Sequence, residues 1–158
     1  VEAVEHEYPL MVEEYCLING SSGSGRMRGG MGVAREVRAL SDDTTFSGRA
    51  DSFITAAGGY DGGLPGSHCR IVRNFGSQNE IVMAPKQRLI SLAAGETIRM
   101  ETPGGGGLGD PLDRSIDDLA VDLEDQRISV ARARLDYGNE LTEKALKTLS
   151  KSNPEKDL

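Results

Sequence analysis

The sequence predicts an α+β fold: a mainly antiparallel β domain with Gly-rich loops, followed by two or three carboxy-terminal helices. Three observations carry this expectation. Short β-prone runs separated by turn signals fill most of the first hundred residues. Glycine, at 20 of 158 residues, gathers into three clusters rather than spreading along the chain. Beyond Pro111 the apolar spacing changes from alternating to helical.

Residues 1–18 read as strands, because Val4, His6 and Tyr8 alternate with Glu5 and Glu7 before the apolar run Tyr15, Cys16, Leu17, Ile18. The segment NGSSGSGRMRGGMG, Asn19 to Gly32, holds too much glycine for a regular element and reads as a long shaped loop. Val33 to Leu40 alternates apolar and charged residues before the turn SDDTT. A short apolar stretch at Phe53 and Ile54 precedes a second shaped loop, GGYDGGLPG. Cys69 to Phe75, Glu80 to Met83, Arg88 to Leu92 and Thr97 to Glu101 are further strand candidates, divided by NFGSQN, APKQ and AAGE. Their regular spacing fits an antiparallel sheet or sandwich.

After TPGGGGLGDP, Thr102 to Pro111, Ser115 with Asp118 three residues on reads as a helix N-cap. Ile116, Leu119, Ala120 and Leu123 then follow at helical spacing. A second helix runs from Ser129 to a stop at Gly138, where glycine tolerates the left-handed backbone of a helix end. A third covers Glu140 to Lys151, with Glu140/Lys144 and Glu143/Lys147 four residues apart. The expected division is a β-rich domain over 1–111, a helical segment packed on it over 112–151, and a tail over 152–158.

Only 37% of residues are apolar and 4% aromatic, which implies a modest core and a surface that normally meets a partner. A net charge of −7 argues against nucleic acid, whose binding needs lysine and arginine against phosphates, and against an anionic membrane surface. Cys16 and Cys69 stand far apart with no metal-ligand spacing, the pattern of reduced thiols in a cytoplasmic protein. No signal peptide and no membrane-spanning apolar run is present. Val1 in place of Met leads us to expect an excised piece or unrecorded upstream sequence.

The glycine clusters hold the unusual chemistry. In GSGRMRGGMG, backbone amides beside glycines could cradle an anion, with Arg26 or Arg28 neutralising it and Gly29 and Gly30 allowing close approach. The segment lacks the Gly-Lys-Ser/Thr ending of a P-loop, so tight packing against a partner chain is the favoured reading. Thr102 with Gly104, Gly105, Gly106 and Gly107 exposes a second run of amides, and Asp110 before Pro111 can hold the turn. Ordering four successive glycines costs backbone entropy, so a binding site and a tight interface both remain open there. His68 beside Cys69 does not make a nucleophile pair, since neighbours in a strand face opposite ways. The acids Asp117, Asp118, Asp122, Glu124 and Asp125 read as the solvated face of a helix.

In their order and spacing, YPL (Tyr8 to Leu10), GSGRMRGGMGVAREVR (Gly23 to Arg38), GGLPG (Gly62 to Gly66), TPGGGGLGDPLDR (Thr102 to Arg114) and ARLDYG (Ala133 to Gly138) resemble the hydantoinase B family. The resemblance covers residues 1–138. Ala57 stands where relatives often carry proline, and Gln126 where they carry glycine after Asp125.

The resemblance implies a component of an ATP-dependent hydantoinase or oxoprolinase type amidohydrolase complex acting on cyclic amides, inactive alone. Its expected partners are a hydantoinase A type ATPase subunit, which uses ATP with Mg, and the remaining hydantoinase B portion. A small-molecule substrate completes the set. A divalent metal is implied only for that upstream portion, and no cofactor is assigned within this chain. A subunit of an acetone or acetophenone type carboxylase, and a non-catalytic assembly module, are the alternatives the residues leave open. Catalytic residues stay unassigned. Arg26, Arg28, Gly29, Gly30, Thr102, Gly104 to Gly107 and Asp110 are the substrate or interface loop candidates.

Overall fold

The computed structural model describes residues 1–152 and has an α+β fold, with antiparallel strands followed by helices. Beyond Ser152, the expected tail lies outside the described residues. The chain forms two compact units that alternate along the sequence.

The first unit comprises residues 1–17, 32–56 and 68–103. It opens with a helix, α1 (Glu2–Glu7), where the alternation predicts strand. Glu2 and Glu5 occupy its first turn, where the helix dipole favours negative charge, and Pro9 closes off any continuation. The Glu5 carboxylate then accepts the Val12 amide at 2.7 Å, tying α1 to the strand that follows.

Five antiparallel strands lie in the order β1 (Leu10–Leu17), β2 (Val33–Ala39), β7 (Thr97–Glu101), β4 (Arg70–Arg73), β5 (Ile81–Val82). A separate ribbon pairs β3 (Thr44–Arg49) with β6 (Lys86–Leu92). The β3 strand was not expected; its half-buried Thr44, Phe46 and Gly48 alternate with exposed Thr45, Ser47 and Arg49, a period-two pattern masked by small polar residues. Ala39, Ile71, Leu92 and Ile98, with Phe46, Phe53 and Met83 against them, form the core shared by sheet and ribbon.

The alternate residues of β7 carry charge instead. Arg99 sits opposite Glu36 on β2, donates from Nε to Glu101 at 2.9 Å, pairs with Glu14 and lies 4.3 Å from the Phe75 ring centre. Burial works against its charge, yet the bonds to Glu101 and Glu14 hold its pKa above the ordinary arginine value.

The second unit comprises residues 18–31, 57–67 and the chain from Gly104 onward. A 3-10 turn at Pro111–Asp113 leads to α2 (Ile116–Glu124), α3 (Val130–Tyr137) and α4 (Asn139–Ser152). Ser115 and Ser129 cap α2 and α3 by accepting the amides of Asp118 and Arg132. Gly138, at φ 78°, ends α3 as the sequence predicts. The helices meet on Leu119, Ala120, Leu123, Ala133, Tyr137 and Ala145. Burying each large side chain there contributes about 1.5–3 kcal/mol. Glu140 pairs with Lys144 at 2.7 Å, but Glu143 bonds Arg134 at 2.7 Å in place of the pairing with Lys147 expected from spacing.

Candidate functional site

The three glycine clusters converge within the second unit, where they pack backbone against backbone. A Cβ on Gly104 would stand 1.9 Å from the Ser21 carbonyl oxygen, and one on Gly107 would stand 2.1 Å from that of Ser24. A Cβ on Gly66 would meet the Gly104 oxygen at 2.2 Å, and one on Gly63 the Gly107 oxygen at 2.1 Å. Along each of these pairs the partners advance three residues at a time, the repeat of an extended polyproline-like chain, while Gly106, whose Cβ would stand 2.0 Å from the Gly58 oxygen, packs on a further segment. Hydrogen bonds knit the segments: Ser67 N to Ser21 O at 2.8 Å, Leu64 N to Ser24 O at 2.7 Å, Gly107 N to Leu64 O at 2.9 Å and Gly23 N to Gly105 O at 2.8 Å.

Several of the amides considered for an anion cradle are engaged elsewhere. Those of Gly23, Arg26, Met27 and Gly29 all donate to carbonyls of this unit, and those of Gly104, Gly105 and Gly107 find the Ser67 hydroxyl, Gly30 and Leu64. The entropy cost of ordering consecutive glycines is offset by these bonds and by close backbone contact.

Beside the bundle, Asp122 corrects the expectation of a solvated acidic face. Its side chain is only 3% exposed and joins three arginines. Oδ1 accepts from Arg28 Nε at 2.8 Å and from Arg127 Nη1 at 3.3 Å, while Oδ2 pairs with Arg114 Nη2. The helical period explains the burial: Asp122 shares the inward stripe of α2 with Leu119 and Leu123, three before and one after. Around this hub an open cleft of about 440 Å³ is lined by Met27, Arg28, Gly29, Gly30 and, from the helical side, Arg114, Asp118, Val121, Asp122 and Arg127.

The loop candidates part company here. Arg28, Gly29 and Gly30 line the cleft. Arg26 is exposed and packs on Gly109, offering only its carbonyl to Arg114 at 3.4 Å. Gly104 to Gly107 build the bundle, and Asp110 caps the 3-10 turn by accepting the Leu112 amide at 2.9 Å. Thr102 belongs to the first unit, where it exchanges bonds with Val33, its Oγ1 accepting the amide at 2.8 Å. Sequence reasoning missed Asp122, Arg114 and Arg127; the position of Asp122 on the apolar stripe was the available signal.

Residues 1–111 match the model of the family described as Hydantoinase B/oxoprolinase. The chain belongs to this family. The beta subunit of caprolactamase from Pseudomonas jessenii is 31% identical over 144 residues, covering 87% of this chain and 24% of that one. The crystal structure of ATP-dependent caprolactamase from Pseudomonas jessenii aligns with a TM-score of 0.71 at 26% identity, over 94% of this chain and 27% of that one. A nucleotide-free acetone carboxylase structure aligns with a TM-score of 0.75 at 19% identity, over 99% of this chain and 27% of that one, a likeness of fold. The chain thus spans about a quarter of the length of these caprolactamase chains, and 8% of the 5-oxoprolinase from Saccharomyces cerevisiae that it also matches.

Among the described residues of this family member, no three His, Cys, Asp or Glu side chains gather to hold a metal ion. Among the described residues, no helix is long and apolar enough to cross a membrane. Both cysteines are free thiols, and burial pushes each above the usual thiol range. His68 is exposed while Cys69 is buried, and both lie just before β4 rather than within a strand.

Proposed function

We propose that this chain is a component of an ATP-dependent amidohydrolase complex of the hydantoinase and oxoprolinase type, acting on cyclic amides and inactive by itself. The observation that carries this reading is the likeness to an ATP-dependent caprolactamase along nearly the whole chain. In this reading a hydantoinase A type subunit, using ATP with Mg, transfers a phosphoryl group to the amide oxygen of a small ring. Water then adds at the activated carbon, the ring C–N bond breaks, and phosphate and the open-chain acid leave. In the same reading the remaining hydantoinase B portion supplies any divalent metal. A cytoplasmic setting fits the need for ATP and two free thiols. Arg28, Gly29 and Gly30, which line the cleft, are the loop residues this reading assigns to substrate or partner, with Gly104 to Gly107 as their support.

The test is to isolate the native particle, identify every polypeptide by mass spectrometry, and assay release of ADP against ring-opened acid from hydantoins, 5-oxoproline and caprolactam. A co-purifying ATPase and matched ADP and acid are the expected result. A folded chain that purifies with no ATPase partner overturns the reading. Product formation that requires bicarbonate replaces it with the carboxylase alternative.

A further inference from the structure

We propose that the cleft around Arg28, Arg114 and Arg127 is an oxyanion-binding site that takes the phosphate or carboxylate group of a small molecule. This goes beyond the amide-hydrolase reading and stands whether or not that reading holds.

The argument begins with an imbalance of donors. Each guanidinium offers five N–H groups, and Asp122 has only two oxygens to meet three of them. Arg28 uses Nε on Asp122 and Nη1 on the Gly29 carbonyl at 3.0 Å. Arg127 uses Nη1 on Asp122 and Nη2 on Asp125 at 2.6 Å. Arg114, whose side chain is 6% exposed, keeps its Nε buried with no hydrogen-bond partner. That Nε is out of reach of solvent, so Arg114 contributes its charge to the cleft and not this bond.

Three arginines and two carboxylates, Asp118 and Asp122, line the cleft, and Asp125 outside the lining pairs with Arg127, so what the cleft holds in excess is forked N–H donors rather than net charge. Arg28 and Arg127 remain partly open to solvent, and Gly30, with nothing within 4 Å of where a Cβ would stand, leaves the rim low enough for a ligand to approach the backbone closely. Forked guanidinium groups match the spacing of oxyanion oxygens, and each such bond is charge-assisted. Asp122 acts as the positioning residue that holds all three forks in place. Asp118, on the rim, opposes an anion and weakens its binding.

Arginine-selective dicarbonyl modification, read residue by residue by peptide mass spectrometry on the full native protein, tests this. Inorganic phosphate and malonate, compared with chloride at equal ionic strength, should slow modification of Arg28 and Arg127 but not of exposed Arg132 and Arg134. Arg127→Gln should weaken phosphate protection of Arg28 about tenfold, and Asp118→Asn should strengthen it. Equal slowing at all arginines, or protection indifferent to both variants, overturns the proposal. So does an Arg28 already unreactive in the assembled particle without added anion, because the cleft is then filled by protein rather than open to a small molecule.

Discussion

Arg28 Nε donates to Asp122 Oδ1 at 2.8 Å across 94 residues of sequence. This bond ties the first glycine segment to the inner face of α2, and two further arginines converge on the same carboxylate. Removing one member of such a buried group leaves the others charged and unpaired. Asp122→Asn should therefore lower unfolding free energy by about 3–5 kcal/mol. Arg127→Gln, at the partly open edge of the group, should cost less than about 1 kcal/mol. Urea midpoints of the two variants check the order, and equal losses would show that the carboxylate is not the hub.

Gly107 and Gly30 make opposite predictions from similar sequence context. A methyl group at Gly107 has no room, with the Ser24 carbonyl 2.1 Å away, whereas at Gly30 nothing lies within 4 Å. Gly107→Ala should lower stability by several kcal/mol, on the order of the largest single-site effects. Gly30→Ala should stay within about 0.5 kcal/mol of the parent. Thermal unfolding of both proteins, followed by circular dichroism, separates them.

Gln126 occupies the left-handed region at φ 55°, just past the end of α2. A side chain there costs roughly 1–2 kcal/mol, of which glycine's extra freedom in the unfolded chain returns part. Gln126→Gly should raise stability by about 0.5–1 kcal/mol, read as a melting temperature higher by roughly 2–3 °C. No rise would mean that the glutamine side chain makes compensating contacts.

Glu96 predicts an acid limit to stability. Hydrogen bonds from Arg73, then from the Ala93 amide and Asn74, hold its carboxyl down at about 2 against an ordinary 4.5. Between those values the folded protein binds fewer protons than the unfolded chain, so this stabilisation is complete above about pH 5 and is lost as pH falls toward 2. Discounted for solvent around the pair, it amounts to about 1 kcal/mol. Glu96→Gln should lower neutral-pH stability by that amount and flatten the acid limb of a stability–pH curve. An unchanged slope would assign the acid sensitivity to other carboxylates.

The helices were legible because α2 and α3 announce themselves locally, through Ser115, Ser129 and Gly138 at their ends and Leu119 and Leu123 along one stripe. Most strands were legible for the same reason, with Ile98 alternating against Arg99 and Glu101. Helix α1 was not, because Val4 and His6 mimic strand alternation while Glu2 and Glu5 favour a first helical turn. The cleft was only half visible. Arg28, Gly29 and Gly30 stand out in sequence, but what gives them chemistry is Asp122, whose acidic neighbours on α2 disguise it as surface. Its partners Arg114 and Arg127 lie eight residues before it and five after, a convergence that only folding brings about.

The bundle has a consequence for how this protein can vary. Ser21 and Ser24, Gly63 and Gly66, and Gly104 and Gly107 are matched in steps of three. Adding or losing one residue within any segment would rotate every later position by a third of a turn and bring side chains where only hydrogen fits. Length here is constrained: a whole triplet keeps these pairings in phase, and a single residue does not.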